Sequence, residues 1–588
     1  MFVNYLIRIL MRISSILFRS FYLSFILAAS ACSSSYAAEA KGGIDQQIDK
    51  ILSPAADIAE KIVFWELPIG SGKAIPLVLI ILGCTALFLT IYFRFINFRA
   101  LGTAAKTIRG KYTNPDAPGQ ITHFQALSAA LSATVGLGNI AGVAVAIAIG
   151  GPGATFWMIV VGLCGMTTKF TECTLGVKFR KVDSDGSTRG GAMYYLRDGL
   201  ASKGEFLGIL GKVLAVFFAI FCIAGAIGAG NMFQANQAQE QFSNSFGILN
   251  EGWQFGLIIA VLVGAVIIGG IVWIARVTSF LVPFMCIGYM LAAILILFVN
   301  LSEIPSSVSL IFTEAFSGTA AAGGIIGAII QGIKRGVFSN EAGVGSAPIA
   351  HSAVKTDKPA SEGLVALLEP FIDTVVVCTM TALVIISSGM WNVKADTNKQ
   401  ISLLSAPESG SVVTTVDAGT KFNLSDETLS HKDAETGEEI IDWYKVKVFK
   451  KDSEGWVSAS DIKLRSKDGI WLTSEAFATV IDWFPYILSI AVFLFAFSTM
   501  ISWSYYAEQS VIYLFGKNKK IINSFKVIYC LFIVIGSAAS LDSVIRLADS
   551  LFFCMVVPNL IGVYFLLPVV KSELAKYMEH VRKIDSES

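Results

Sequence analysis

Residues 128–139 read Ser-Ala-Ala-Leu-Ser-Ala-Thr-Val-Gly-Leu-Gly-Asn, and residues 338–348 read Phe-Ser-Asn-Glu-Ala-Gly-Val-Gly-Ser-Ala-Pro. Each lies within a stretch apolar enough to cross a lipid bilayer, and each carries a Gly-x-Gly with polar neighbours; the second adds a proline. Glycine inside a helix costs about 1 kcal/mol relative to alanine and proline about 3, so both stretches predict helices that stop in mid-membrane and restart. Close helix packing is the simpler reading of either glycine pair alone. The matched pair, with Asn139, Asn340 and Glu341 beside the glycines, favours true breaks.

The membrane setting follows from composition. Of 588 residues, 54% are hydrophobic and 15% charged, and the mean hydropathy is +0.65, too apolar for an ordinary soluble domain. A net charge of +1, with no basic tract interleaved with aromatics, argues against nucleic acid as a partner. The cysteines sit in apolar runs without CxxC spacing and read as small core hydrophobes. His123, His351, His431 and His580 have no paired spacing, so they read as surface or loop residues rather than metal ligands. No nucleophile, base and orienting group cluster in sequence, so no catalytic residue is assigned and an enzyme is disfavoured.

Arg8, Arg12 and Arg19 precede the apolar run 21–29, and small residues follow up to Glu39, the order of a cleavable secretory signal over residues 1–38. Beyond it, apolar stretches of about 20 residues begin near Ala74, Phe124, Ala154, Gly211, Phe255, Thr278, Gly323, Gly363, Ala476, Ser524 and Ile545. They predict an all-α polytopic membrane protein of eleven transmembrane helices, because backbone groups in lipid must be satisfied within the segment. Basic residues follow the odd-numbered spans: Arg94, Arg99, Lys106, Arg109 and Lys111; Lys178, Arg180, Lys181 and Arg189; Lys355 and Lys358; Lys517, Lys519 and Lys520; Lys571, Arg582 and Lys583. Basic loops stay inside, so the mature N-terminus lies outside and the C-terminal tail, 571–588, in the cytoplasm. The bilayer is then the cytoplasmic (inner) membrane.

The two breaks fall five spans apart, in the second and seventh spans. Five spans with one break, repeated by five with another, place the halves in opposite orientation and leave the first span outside the repeat. This is the pattern of an inverted-repeat carrier with its substrate and ion sites at the breaks. Freed N–H groups and the positive end of a half-helix suit a carboxylate, and freed carbonyls suit a cation.

Residues 133–144, 230–236, 336–348 and 371–381, with Ser498, Thr499 and 503–506, resemble the alanine or glycine:cation symporter family, sodium-coupled carriers of small amino acids. The similarity covers nearly all eleven spans. It implies the leucine-transporter type of five-plus-five fold with one extra N-terminal helix, alternating access as the mechanism, and sodium as the co-transported ion. It further implies that Thr134, Gly136, Gly138 and Asn139 meet the substrate, with Phe233, Asn236, Gly343, Thr499 and Trp503 closing the pocket. Trp503 shares a helix face with Thr499, one turn away, and suits a methyl-sized side chain, hence alanine or glycine; an interfacial anchor is its alternative reading. Asn139 stands where some relatives have glutamine. The sodium candidates implied by the fold type are Ser132, Val135, Ser498, Thr499 and Ser502.

The transmembrane domain is expected over 74–390 and 475–570. Between its parts, residues 391–474 form a polar insertion whose alternation in 412–422, 443–449 and 455–464 predicts strands. Its Gly-Trp-Val and Trp-Tyr-Lys-Val stretches resemble a small bacterial SH3-type barrel. The reading is an exported module for a cell-wall or periplasmic partner, with a structural cap as the alternative. Among ionisable groups in the spans, Lys169 with Glu172 and Arg546 with Asp549 are spaced for i, i+3 pairs, while Glu369 and Asp373 share a face and suit a gate or proton relay. The rival functions are a proton-coupled carrier and an amino-acid sensor using the outer module.

Overall fold

A computed structural model of the chain describes residues 44–70, 73–114, 116–184, 186–317, 324–432, 439–464 and 469–587. The expected signal segment, 1–38, lies outside the described residues. The first break is where the architecture turns. Helix α1 (Ile44–Val63) and helix α2 (Leu77–Tyr92) precede it. Helix α3 (His123–Thr134) opens with a capping box in which Thr122 accepts from the Gln125 N–H and the Gln125 side chain accepts from the Thr122 N–H, satisfying two otherwise orphaned donors. It ends at Thr134, and after three non-helical residues the chain restarts as α4 (Gly138–Gly150), bent by 53°.

The second break is more irregular. Helix α9 (Gly324–Asn340) ends with the Asn340 side-chain oxygen accepting from the Ala342 N–H at 2.9 Å. Glu341, Gly343 and Gly345 then take φ of +58°, +90° and +84°. The glycines adopt that left-handed backbone freely, whereas Glu341 stores strain of about 1–3 kcal/mol. Pro348 starts the one-turn helix α10 (Pro348–His351).

Between the breaks come α5 (Gly153–Lys178), α6 (Glu205–Phe246), α7 (Gly252–Ile267) and α8 (Gly270–Val299); after them come α11 (Pro359–Ser387), α12 (Gly469–Ala478), α13 (Phe484–Phe515), α14 (Lys519–Ala538) and α15 (Leu541–Glu587). Seven of the described helices are long and apolar enough to cross a membrane, and the bent α3/α4 pair makes an eighth. Along α8, Phe280, Phe284, Ile287, Leu291, Ile294 and Phe298 are exposed at spacings that form one stripe, a face fit only for lipid. Helix α5 is central. A Cβ on Gly162, Gly165 or Gly176 would sit 2.9, 2.9 or 2.7 Å from Thr374, Ala342 or Pro348, so these glycines allow α11 and the second break to lie directly against it.

The insertion forms a sheet of β1 (Ala395–Asp396), β2 (Ile401–Leu404), β3 (Val412–Val416), β4 (Lys421–Lys432), β5 (Glu439–Val448), β6 (Glu454–Ser458) and β7 (Lys463–Leu464), in the order β7-β1-β4-β5-β6-β2-β3. The expected strands form, but where a closed barrel is expected the hydrogen-bonded order is open, with β7 and β3 at the edges. Phe422, Val446, Val448, Leu403 and Val457 make its small core. Residues 469–474 belong instead to α12, which packs into the helical part: the Ile470 N–H donates to the Gln237 side chain at 3.2 Å and the Thr473 hydroxyl to the Ile140 carbonyl at 3.1 Å. The ninth apolar stretch, expected from Ala476, therefore splits, because Pro485 in the first turn of α13 starts a new helix.

Neither expected i, i+3 pair forms: Lys169 and Asp549 take partners on other helices, and Arg546 takes one on another helix and one an i, i+4 step away on its own. Lys169 donates to Glu369 at 2.9 Å, while the Asn559 amide donates to Glu172. Asp549 takes Arg335 and Lys334, and Arg546 takes Asp57 and Asp542. His123 and His351 are buried, not surface residues: Glu362 bridges them, and the second ring nitrogen of His351 reaches Glu369 at 3.3 Å. This chain from His123 to Lys169 stitches α3, α10, α11 and α5 together. Lys169→Met removes its only ammonium and is expected to cost about 3–5 kcal/mol. A melting curve of the purified variant equal to that of the parent would contradict this.

Candidate functional site

Ala133, Thr134, Gly138, Ala229, Gln234, Phe338, Glu341, Trp503 and Phe552 surround a small cavity where both breaks meet α6, α13 and α15. The space open to the centre of a water-sized sphere is about 10 Å³, enough for about one water. Every residue that lines it is buried. Phe338 and Phe552 pack at 5.3 Å between ring centres. One turn further along the same two helices, Arg335 pairs with Asp549 through both carboxylate oxygens and lies over the Phe338 ring.

Close approach explains the first glycine of the break. A Cβ on Gly136 would lie 2.4 Å from Thr499 Oγ1, and neither Gly136 nor Gly138 has a positive φ. Its N–H donates to Asn139 Oδ1 at 2.8 Å, and the Leu137 N–H donates to Gln234 Oε1 at 3.1 Å. Two backbone donors freed by the break are thus held by side-chain oxygens. Beside them the Ser132 hydroxyl donates to the Ser498 carbonyl at 2.8 Å, and the Thr499 hydroxyl donates to the Ser132 carbonyl at 3.1 Å. Val135 ends α3 next to them, and Ser502 Oγ is buried without a hydrogen-bond partner among the described residues.

Glu341 enters from the second break. Its carboxylate accepts from Trp503 Nε1 at 3.0 Å and from the Ser346 hydroxyl, and Gly230 leaves room for the indole, since a Cβ there would meet it at 2.3 Å. Asp373 is a second buried carboxylate nearby: Asn139 donates to it at 2.6 Å, and Ser339 and Thr374 each at 2.7 Å. Neither acid has a Lys, Arg or His within ion-pair distance among the described residues, unlike Glu369.

Of the residues expected at the site, Thr134, Gly138 and Trp503 line the cavity, and Gly136 and Thr499 touch just behind it. Asn139 turns away to Asp373, Phe233 packs edge-on behind Phe338 at 5.2 Å, and the Gly343 carbonyl accepts from Asn559 at 2.9 Å. Asn236 faces α14, donating to the Gly536 and Ala539 carbonyls. Gln234, Glu341, Phe338 and Phe552, with Ala133 and Ala229, complete the lining and were not singled out as site residues from sequence. The first three lie inside the motifs quoted above, whereas nothing in the sequence marks Phe552.

A buried cavity where two broken helices meet inside a multi-span helical protein defines a membrane carrier. The description "Sodium:alanine symporter family" matches residues 68–416 and 456–588, and the chain belongs to that family. It is a multi-pass membrane transporter coupled to sodium. The sodium/alanine symporter AgcS of Methanococcus maripaludis is 37% identical over 521 residues, 87% of this chain and 96% of that protein. The sodium/proton-dependent alanine carrier protein of Bacillus sp. strain PS3 is 36% identical over 274 residues, 46% of this chain and 59% of its own. A solved structure of MhsT in complex with L-phenylalanine aligns over 74% of this chain and 87% of that one, with a TM-score of 0.43 and 15% identity.

Gly136→Ala pushes α13 away from the break. Overpacking of this kind costs about 1–3 kcal/mol, roughly fivefold to a hundredfold in occupancy of the packed arrangement. Sodium-driven uptake is expected to fall at least that far with the protein still monodisperse; parental uptake would contradict the contact's importance.

Proposed function

We propose that the chain carries a small neutral amino acid, alanine or glycine, into the cell with sodium by alternating access across the cytoplasmic membrane. The observation that carries this reading is the pocket itself, where residues of both breaks, the Glu341 carboxylate and the Trp503 indole converge. The substrate carboxylate takes the N–H groups of Gly136 and Leu137 in place of the oxygens of Asn139 and Gln234, near the start of α4, whose positive end faces it. Its ammonium pairs with Glu341, whose buried charge otherwise lacks a cation. Thr134, Gly138 and Trp503 enclose the methyl group, and Phe233, Asn236 and Gly343 hold the walls behind. Sodium sits between the end of α3 and α13, on carbonyls of Ser132 and Val135 and hydroxyls of Ser498, Thr499 and Ser502; hard oxygen ligands without a carboxylate suit a monovalent ion. The Phe338–Phe552 contact and the Arg335–Asp549 pair close the outer side.

The topology in this proposal has eleven spans. The shorter apolar helices α2 and α7 and the broken α9/α10 pair join the eight counted above, and two inverted five-span repeats follow α2. The mature N-terminus and the inserted sheet lie outside, with the C-terminus inside. The outer SH3-like module acts as a cap through α12, with which Lys421 and Glu475 form an ion pair.

A second reading, coupling to protons, is favoured by Glu341 and Asp373 having no cationic partner, and the Bacillus relative's name includes the proton. Counterflow of labelled alanine in proteoliposomes separates the two. Sodium coupling predicts uptake lost in potassium and insensitive to collapse of the pH gradient; the converse result supports protons, and no uptake in either medium would sink the carrier reading. Thr499→Ala with Ser502→Ala is expected to raise the sodium concentration for half-maximal uptake roughly tenfold, the loss of about 1.4 kcal/mol of ion binding. An unchanged sodium dependence would remove these hydroxyls from the site.

A further inference from the structure

A solvent-open cavity of about 1100 Å³ lies at the end of α11 away from the sheet. Its walls come from the end of α5 and the residues after it, the residues leading into α11, Pro118 ahead of α3, and the last turns of α15. Lys178, Arg180, Lys358, Lys576, Arg582 and Lys583 line it, against Asp357, Glu573 and Glu579. Glu573 is shared by Lys178 at 2.8 Å and Lys576 at 3.2 Å, and among the described residues the ion partner of Lys358 is Asp357, at 3.4 Å. Arg582 and Lys583 have no ion partner among the described residues. The N-terminus of α11, 29 residues long, opens onto the same space and adds a positive potential.

Arg180 makes this more than a basic surface. Its guanidinium donates to the carbonyls of Ser352 at 2.8 Å, Val354 at 2.5 Å, Pro118 at 2.7 Å and Thr356 at 2.6 Å. One side chain therefore pins the chain just beyond α10 to the chain just before α3, the ends of both broken helices. Four carbonyls satisfy its donors but do not neutralise its charge, and the excess of cations around it remains. A volume of this size holds a headgroup or a small phosphate ester, and the Arg582 guanidinium and Lys583 ammonium beside it favour phosphate oxygens.

We propose that this cavity binds a phosphate-bearing anion, either the headgroup of an acidic phospholipid or a soluble phosphate, and that the bound anion clamps the ends of the two broken helices against α15. The clamping half rests on the carrier reading; the binding half does not.

The test uses the full-length protein in phosphatidylcholine nanodiscs, with melting temperature as the binding readout, and in proteoliposomes of the same lipids, with alanine counterflow as the separate readout of clamping. Inorganic phosphate replacing chloride at equal ionic strength, or phosphatidylglycerol replacing part of the phosphatidylcholine, is expected to raise the Tm by roughly 2 °C or more. A rise with phosphate assigns the soluble anion, and a rise only with phosphatidylglycerol assigns the lipid. The rise is expected to vanish in R582Q/K583Q, whose changes lie on the exposed side of α15, and to persist in K519Q/K520Q, a basic pair outside the cavity. No rise with either probe, or an equal rise in R582Q/K583Q, overturns the site. Turnover in counterflow is expected to fall severalfold as the anion binds; binding with unchanged turnover overturns the clamp while leaving the carrier reading intact.

Discussion

Lipid offers no partner to a backbone N–H or carbonyl, and that constraint shapes this protein more than any single contact. A helix satisfies its own groups, so an interruption in mid-membrane persists only where protein or ligand supplies partners. Both interruptions here are answered in kind. Asn139 and Gln234 hold donors of the first, Thr499 covers the Ser132 carbonyl, and Asn340 caps the second. The surrounding helices are placed by the need to bring those side chains to the breaks, which is why α5 carries glycines where it meets α11 and the second break.

The same solvent governs charge. Lys169, Arg335 and Lys178 each find a carboxylate on another helix, and His123 and His351 are bridged by Glu362. These pairs tie helices that sequence leaves far apart. Glu172, Glu341 and Asp373 stand outside that rule, since their bonds come from neutral donors only. A carboxylate left without a cation in a pocket built of broken helices is incomplete until a cation arrives, and in the proposed cycle the ammonium of the substrate brings one to Glu341. Strained backbone at Glu341 fits the same picture, because strain at a buried acid is retained where the geometry it holds is used.

The breaks were legible because Gly-x-Gly in an apolar span contradicts its surroundings, and the motif around 336–348 marked the second one to within a residue. Their physical reasons differed, however: positive φ at Gly343 and Gly345, close approach at Gly136. The family resemblance implied Asn236 as a pocket residue, yet its amide serves α14, since one helical position turns a side chain by about 100°. Gln234, two residues away, faces the site for the same reason. The i, i+3 charge pairs misled because spacing along one helix says nothing of a better partner across a packed interface. The closing of the pocket by Phe552 was invisible, as it depends on how α15 leans against α9. The split before α13 was marked only by Pro485, inside an otherwise continuous apolar run.

The central claim is that one pocket at the two breaks binds the amino acid and sodium together. Calorimetric titration of the purified protein with alanine, in sodium and in potassium, matched by titration with sodium at zero and saturating alanine, tests it directly. The account predicts that sodium tightens alanine binding about tenfold or more and that alanine tightens sodium binding by the same factor, as linkage requires. An alanine affinity that is the same in sodium and potassium would contradict it.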